Sequence, residues 1–182
     1  AGATIYGCFR RFLQNFEKQQ GLVRGQPGSQ ISAMCFGCYF PNPGIFGVKH
    51  NFLINSIEAF AIEALGTGFL VLVIFTLTDK RNKTLPKTAK ALAPFFIGFT
   101  VSVLISLFAP LTQASYNPAR DFGPRLVALI AGWGKIAIPG PRNGFWLYLI
   151  APFLGSVIAG AMYEFVFGLS FRVKKTKDSD DC

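Results

Sequence analysis

The stretch SYNPARDFGPR, residues 115–125, decides how this chain folds, because it places a helix start and a cation between two apolar regions. Asn117 is a preferred N-cap residue and Pro118 is tolerated in the first helical turn, so the pair predicts a helix that begins here. The apolar run that follows, 126–133, is too short to cross a bilayer, which needs about 20 residues. The stretch therefore predicts a half-helix at membrane depth that points its positive end and Arg120 into a water-filled pore, since lipid would not tolerate them.

Three other windows, 56–78, 91–111 and 145–167, are long and apolar enough to cross a membrane. Hydrophobic residues make up 51% of the chain and charged residues 15%, and most charges lie outside these windows. We therefore predict an all-α, multi-pass integral membrane protein. Its predicted segments are the end of a helix at 1–16, a loop at 17–55, spans at 56–78, 91–111 and 145–167, the half-helix at 117–131 and a tail at 168–182.

The formal net charge of +9 raises the question of nucleic-acid binding, but the placement of the basic residues favours a membrane. One basic group lies in the short loop after the first span and another follows the last span, as expected of cytoplasmic ends. Since two spans separate these groups, they fall on one side, and the start of the half-helix falls on the opposite, outer side. Four basic residues near the N-terminus would then lie outside, against the rule. The groups are Lys80, Arg81, Lys83, Lys87 and Lys90; Arg172, Lys174, Lys175 and Lys177; and, as the exception, Arg10, Arg11, Lys18 and Arg24.

The cysteines and titratable residues give no sign of an enzyme. Cys35 and Cys38 form a lone C-x-x-C motif in the loop, and two readings are open: unpaired small hydrophobic residues, or a redox or metal role. The sequence shows no nucleophile–base pair and no metal cluster, so we predict no catalytic residue, no metal site and no cofactor. The placement of the basic residues likewise predicts no nucleic-acid partner. Because the chain begins at Ala1 within an expected helix, we also expect it to be part of a longer protein.

The run NPAR, residues 117–120, follows a membrane span and resembles the second Asn-Pro-Ala signature of the major intrinsic proteins, the aquaporin family. Asp121, directly after the arginine, resembles the aquaglyceroporin or glycerol facilitator branch of that family. Arg125 and Pro152 also fit this branch. Phe153 departs from it, because the branch more often has Leu at this position.

The resemblance covers residues 56–167 and includes the order of the spans and the half-helix. It implies an aquaporin-like bundle in which this chain is the second of two inverted repeats. That repeat has three full spans and one re-entrant half-helix, preceded here by the end of the family's third span. The family's pore takes an Asn-Pro-Ala half-helix from each repeat, and the nearest similar run elsewhere, Asn42-Pro43-Gly44, is interpreted as an ordinary turn in a polar loop.

The same resemblance assigns pore roles to residues around the half-helix. Asn117 would cap the half-helix and offer its side-chain amide to a solute hydroxyl group. Arg120 would form the narrow selectivity filter and repel cations, with a structural ion pair to Asp121 or Glu63 as the alternative. The predicted pore residues are the motif Asn117, Pro118 and Ala119; the filter residues Arg120, Ala114 and Ile105; and the backbone carbonyls of Gln113, Ala114 and Ser115.

One acidic residue is expected to support this loop, and a second, the branch marker Asp121, lies within the half-helix. Glu63 lies in the middle of the first span, and the matching residue of the family braces the Asn-Pro-Ala loop by accepting its backbone N–H groups. We predict this structural role for Glu63, with proton transport as the alternative. Asp121 lies early in the half-helix, where the helix dipole favours a carboxylate.

The resemblance implies a passive channel for glycerol, water and other small neutral solutes, with urea as a further candidate, that excludes ions and protons. It also implies a homotetramer of the full-length protein in a lipid bilayer, the plasma membrane being favoured over an organelle membrane. Two alternatives remain open. One is a truncated chain that does not conduct, and the other is a proton-coupled transporter that uses Glu58 or Glu63.

Overall fold

A computed structural model of the chain describes residues 1–168. Within this part of the chain there are eight α-helices and no β-strand, which confirms the prediction of an all-α protein. The predicted tail, 168–182, lies outside the described residues except for Gly168. The helices are α1 (Gly2–Gln19), α2 (Gln30–Ala33), α3 (Pro43–Phe46), α4 (Ser56–Thr78), α5 (Lys87–Ala91), α6 (Ala93–Thr112), α7 (Pro118–Ala128) and α8 (Gly144–Tyr163).

Three helical segments are long and apolar enough to cross a membrane. They are α4, α6 and the segment Pro141–Gly168, which contains α8 together with a short 3-10 turn before it and a π-helical turn after it. Their ends lie within a few residues of the predicted span ends. Length and apolar composition were therefore sufficient to locate these helices in the sequence.

The start of α4 is fixed by a capping box between Asn55 and Glu58. The Asn55 side chain accepts a hydrogen bond from the Glu58 backbone N–H (2.9 Å), and the Glu58 carboxylate accepts one from the Asn55 backbone N–H (2.8 Å). These bonds satisfy N–H groups that have no partner inside the helix. Glu58 therefore has a local structural role at the end of a span.

Close backbone contact holds α4 against α8. A Cβ atom at Gly155 would lie 2.1 Å from the backbone oxygen of Ala64, so no other residue fits there without movement of a helix. A Cβ atom at Gly68 would lie 3.2 Å from the backbone oxygen of Gly155. In lipid, such close packing between small residues replaces the hydrophobic driving force that operates in water. The pair α4 and α8 therefore provides a fixed support for the residues beside it.

The short helix α7 has 11 residues and an Asn117 cap. The Asn117 side-chain oxygen accepts hydrogen bonds from the backbone N–H groups of Ala119 (2.9 Å) and Arg120 (3.3 Å). The α-helix ends at Ala128, and a π-helical turn, Leu129–Trp133, continues it. A helix of this length is too short to cross a bilayer.

The α1–α4 connection, residues 20–55, folds back over α7. One core cluster joins α1, this connection and the region after α7, and it consists of Leu13, Ala33, Phe36, Tyr39, Ala128, Trp133 and Ala137. Arg24 links the same regions through Glu17 (2.9 Å) and the backbone oxygen of Ala131 (2.9 Å). Its guanidinium group also lies 4.0 Å from the centre of the Trp133 ring, a cation–π distance. The segment predicted as a loop is thus packed against both ends of the half-helix region.

Candidate functional site

The start of α7 presents three exposed residues, Asn117, Ala119 and Arg120, with Pro118 half-buried among them. The Asn117 oxygen is used for capping, which leaves the amide nitrogen as a donor; among residues 1–168 it donates to no protein acceptor. The N-terminal end of a helix carries a partial positive charge. This exposed face therefore combines hydrogen-bond donors with a positive potential.

Arg120 is held in place by neutral acceptors. Its Nη1 donates to the backbone oxygens of Ala114 (3.0 Å) and Ser115 (3.3 Å) and lies 3.7 Å from the sulfur of Cys38. In the described part of the chain no carboxylate forms an ion pair with Arg120. The alternative of a structural ion pair is not observed, because Asp121 and Glu63 bind other groups. The positive charge of Arg120 is thus fixed in position and not neutralised.

Glu63 braces the loop before α7 from the middle of α4. Its two carboxylate oxygens accept hydrogen bonds from the backbone N–H groups of Ser115 (3.0 Å) and Tyr116 (2.8 Å), and the residue is fully buried. The Tyr116 ring lies directly on Gly66, where a Cβ atom would come within 2.1 Å of the ring. The backbone before Asn117 is therefore held from one side by a single span.

A buried ion pair holds the other side of α7. Asp121 and Arg125 are 2% and 1% exposed, and Arg125 Nε donates to the Asp121 carboxylate at 2.5 Å. The second carboxylate oxygen accepts the backbone N–H of Cys38 at 2.6 Å, while Arg125 donates to the backbone oxygens of Cys38 and, at 2.7 Å, Ala137. We call the side chains of Asp121 and Arg125 with the backbone of Cys38 the clasp. A buried charge pair of this kind is tolerated only when its remaining donors and acceptors are satisfied, as they are here.

The other residues predicted for the filter, the carbonyl path and the branch are partly exposed in some cases and buried in others. Ile105 is 39% exposed on α6, next to Leu104, which is in the same core cluster as Ala114. Ala114 is only 2% exposed, so its carbonyl group and not its methyl group contacts Arg120. Gln113 ends α6 with a left-handed backbone (φ 62°), and its side-chain oxygen accepts the backbone N–H of Tyr39 at 2.7 Å. Pro152 is fully buried within α8, away from the exposed face.

The two cysteines of the C-x-x-C motif have different environments. Cys35 is exposed, Cys38 is buried, and both are free thiols. Burial raises the pKa of the Cys38 thiol to about 12, whereas a reactive cysteine needs a lowered pKa. Among the described residues no group of three or more His, Cys, Asp or Glu side chains could hold a metal ion. No local pattern predicted that Cys38 would lie beside Arg120; in the structure, a Cβ atom at the preceding Gly37 would come within 2.7 Å of the Arg125 side chain.

Comparison with known proteins identifies the family of the chain. Residues 26–163 match the model of the family described as Major intrinsic protein. The chain is 36% identical over 170 residues to the glycerol uptake facilitator protein of Escherichia coli (strain K12), covering 92% of this chain and 56% of that protein. It is 39% identical over 164 residues to aquaglyceroporin-2 of Rhizophagus irregularis, covering 90% of this chain and 47% of that protein.

A solved structure is also similar. The X-ray structure of the aquaglyceroporin from Plasmodium falciparum matches with a TM-score of 0.65 and 25% sequence identity, over 94% of this chain and 60% of that chain. The fold and the site define an integral membrane protein built around a re-entrant half-helix. The chain belongs to the major intrinsic protein family, and its similarity to glycerol facilitators and aquaglyceroporins confirms the resemblance found in the sequence. It spans about half the length of the curated relatives it matches.

Proposed function

We propose that this chain supplies the second half of a passive channel for glycerol, water and other small neutral solutes, with urea as a further candidate. The observation that carries the proposal is the exposed Arg120 guanidinium, held by two carbonyl groups beside the free amide nitrogen of Asn117. A cation at membrane depth is costly unless it serves a polar path. Carbonyl partners position the guanidinium group without cancelling its charge.

The chemistry of this face suits neutral, hydroxylated solutes. The Asn117 amide and the unused guanidinium donors of Arg120 offer hydrogen bonds to a hydroxyl oxygen. The same arginine and the positive end of α7 raise the energy of any cation or proton that enters the path. We therefore propose that Asn117, Pro118 and Ala119 line the pore, that Arg120, Ala114 and Ile105 belong to the filter, and that the carbonyls of Gln113, Ala114 and Ser115 lie along the path.

A second half is required to enclose a lumen. An apolar groove runs between α4, α6 and α8, and its lining includes the exposed side chains of Leu65, Phe69 and Leu107. Together with the partial coverage of the relatives, this groove supports a pore whose other wall comes from the remainder of the protein. We also propose that the α1–α4 connection faces the outer side, that the complete protein is a homotetramer in the bilayer, and that the plasma membrane is its location.

Proton-coupled transport is the competing function, and the contacts of the two candidate acids argue against it. Glu58 belongs to the capping box at the start of α4. Both oxygens of Glu63 are engaged by backbone N–H groups, so a proton bound there would weaken one of those bonds. Neither residue is free to carry protons along a path.

Flux measurements on proteoliposomes test the proposal. We expect the complete protein that contains this chain to accelerate liposome swelling in glycerol, with no dependence on an imposed proton gradient. We expect the 182-residue chain alone to cause no swelling, because its half-helix lacks the opposing wall. Glycerol flux that follows the proton gradient would favour the transporter. Swelling caused by the 182-residue chain would show that this chain conducts unaided. The absence of glycerol flux through the complete protein would refute the channel.

A further inference from the structure

Residues 37–42, which we call the crossing segment, lie against the site although they are distant from it in sequence. The Tyr39 backbone N–H donates to the Gln113 side chain at 2.7 Å. The Asn42 backbone N–H donates to the Pro110 oxygen at 3.0 Å, and the Asn42 side-chain amide donates to the Ala109 oxygen at 3.1 Å. The crossing segment is therefore bound to the end of α6, just before the loop that leads to α7 and Arg120.

The backbone of Cys38 is fixed on both sides by the clasp. Its N–H donates to Asp121 at 2.6 Å and its carbonyl accepts from Arg125. The preceding Gly37 lies so close to Arg125 that a Cβ atom would come within 2.7 Å of the Arg125 Cγ. Because both peptide groups of Cys38 are held, the direction of its side chain is also determined.

That side chain reaches Arg120. The sulfur of Cys38 lies 3.7 Å from Nη1, the same nitrogen that donates to the carbonyls of Ala114 and Ser115. Nη1 of the guanidinium group thus lies beside two carbonyls and a buried, uncharged thiol. Sulfur is a weak acceptor, so the thiol limits where the guanidinium can lie without neutralising it.

We propose that Cys38 is a positioning residue for Arg120, and that its size sets how far the guanidinium group reaches into the solute path. This inference rests on the proposed channel function. A larger residue at position 38 pushes the guanidinium outward and narrows the path, which impedes glycerol more than water. A smaller residue lets the guanidinium withdraw and widens the path. The crossing segment thereby contributes to solute selectivity through a residue that does not itself line the path.

The first test compares permeabilities of the complete protein in proteoliposomes. We expect Cys38→Leu to lower the ratio of glycerol to water permeability several-fold, Cys38→Ala to raise it, and Cys38→Ser, which preserves size and an acceptor, to keep it near the original value. The matched controls are Cys35→Leu and Cys35→Ala at the exposed cysteine of the same motif, for which we expect an unchanged ratio. Equal ratios for Cys38→Leu, Cys38→Ala and the original protein would overturn the inference.

The second test does not depend on transport. In a complete protein in which every cysteine except Cys38 is replaced by serine, Cys8, Cys35 and Cys182 among them, N-ethylmaleimide reacts only with Cys38. We expect Arg120→Lys to accelerate this reaction several-fold, because it removes the guanidinium group that lies against the thiol and keeps a positive charge near it. Arg10→Lys, on the exposed face of α1, is the control. An unchanged labelling rate would refute the contact between Cys38 and Arg120, even if glycerol flux is normal. Accelerated labelling in a protein that shows no glycerol flux would refute the channel function and, with it, the role of Cys38 in selectivity.

Discussion

Arg120 and Arg125 lie on the same short helix in opposite surroundings. Arg125 is 1% exposed, and its charge is balanced by Asp121 within the clasp. Arg120 is exposed, and the partners found for it in residues 1–168 are two carbonyls and a thiol. Five residues of an α-helix correspond to a rotation of about 140° between the two side chains. The helix thus turns one arginine into the protein and the other towards its open face.

The difference separates two uses of the same residue type. A buried arginine with a carboxylate and satisfied donors joins distant segments, here α7, the crossing segment and the turn after α7. An arginine without a counter-charge stabilises little and costs free energy at membrane depth, so its position points to a site. The three variants that follow test this contrast, ordered from the largest expected loss of stability to the smallest.

Arg125→Met gives the largest expected effect. It leaves the Asp121 carboxylate buried without its cation, which costs about 3–5 kcal/mol of the free energy of unfolding. The measurement is the apparent melting temperature of the purified protein in detergent. The double variant Arg125→Met/Asp121→Leu, which removes both charges, should recover part of the loss. A single variant as stable as the original protein would show that the clasp does not hold α7.

Gly37→Ala should have an intermediate effect, because the new methyl group would lie 2.7 Å from Arg125 Cγ and 2.9 Å from its Nε. We expect a loss of about 1–3 kcal/mol from this overpacking, measured by the same thermal unfolding. The control is Gly123→Ala on the exposed side of α7, where a Cβ atom meets nothing within 4 Å. That change should be neutral or stabilising by up to about 1 kcal/mol through helix propensity. A reversed order of the two variants would contradict the assignment of the packed and open sides.

Arg120→Ala should change stability least, by about 0.5 kcal/mol or less, because an exposed side chain without a buried partner charge is removed. The functional effect is instead an increased leak of protons or cations through the complete protein in proteoliposomes. A pH-sensitive dye inside the liposomes reports the proton leak. If this variant passes glycerol while its ion leak stays at the original level, the arginine does not exclude ions by its charge.

Much of the fold could be predicted because its signals are local. The spans follow from runs of apolar residues, and the start of α7 follows from Asn117 and Pro118, whose conformational preferences act within one turn. The position of Glu63 in the middle of a span suggested a buried partner, and the structure provides the N–H groups of Ser115 and Tyr116. In each case the deciding residues are neighbours in sequence, or one of them is too polar to be left alone in lipid.

The sequence by itself determined an α-helical membrane protein with a half-helix at its centre and an arginine at the start of that half-helix. Only the tertiary structure decided which arginine is neutralised and that Cys38 lies against the other. Cys38 lies 83 positions before Asp121, which accepts its backbone N–H, and 87 positions before Arg125, which donates to its carbonyl. No local sequence pattern encodes either contact.

The physical reason is the distance along the chain. The bonds that tie Cys38 into the clasp join residues 83 and 87 positions apart, and such contacts form only when the crossing segment is packed against α7. Local preferences act over a few residues and carry no information about which distant backbone group will meet a given side chain. The half-helix could therefore be predicted from the sequence. The position of Cys38 beside Arg120, in contrast, results from the packing of segments that are distant along the chain.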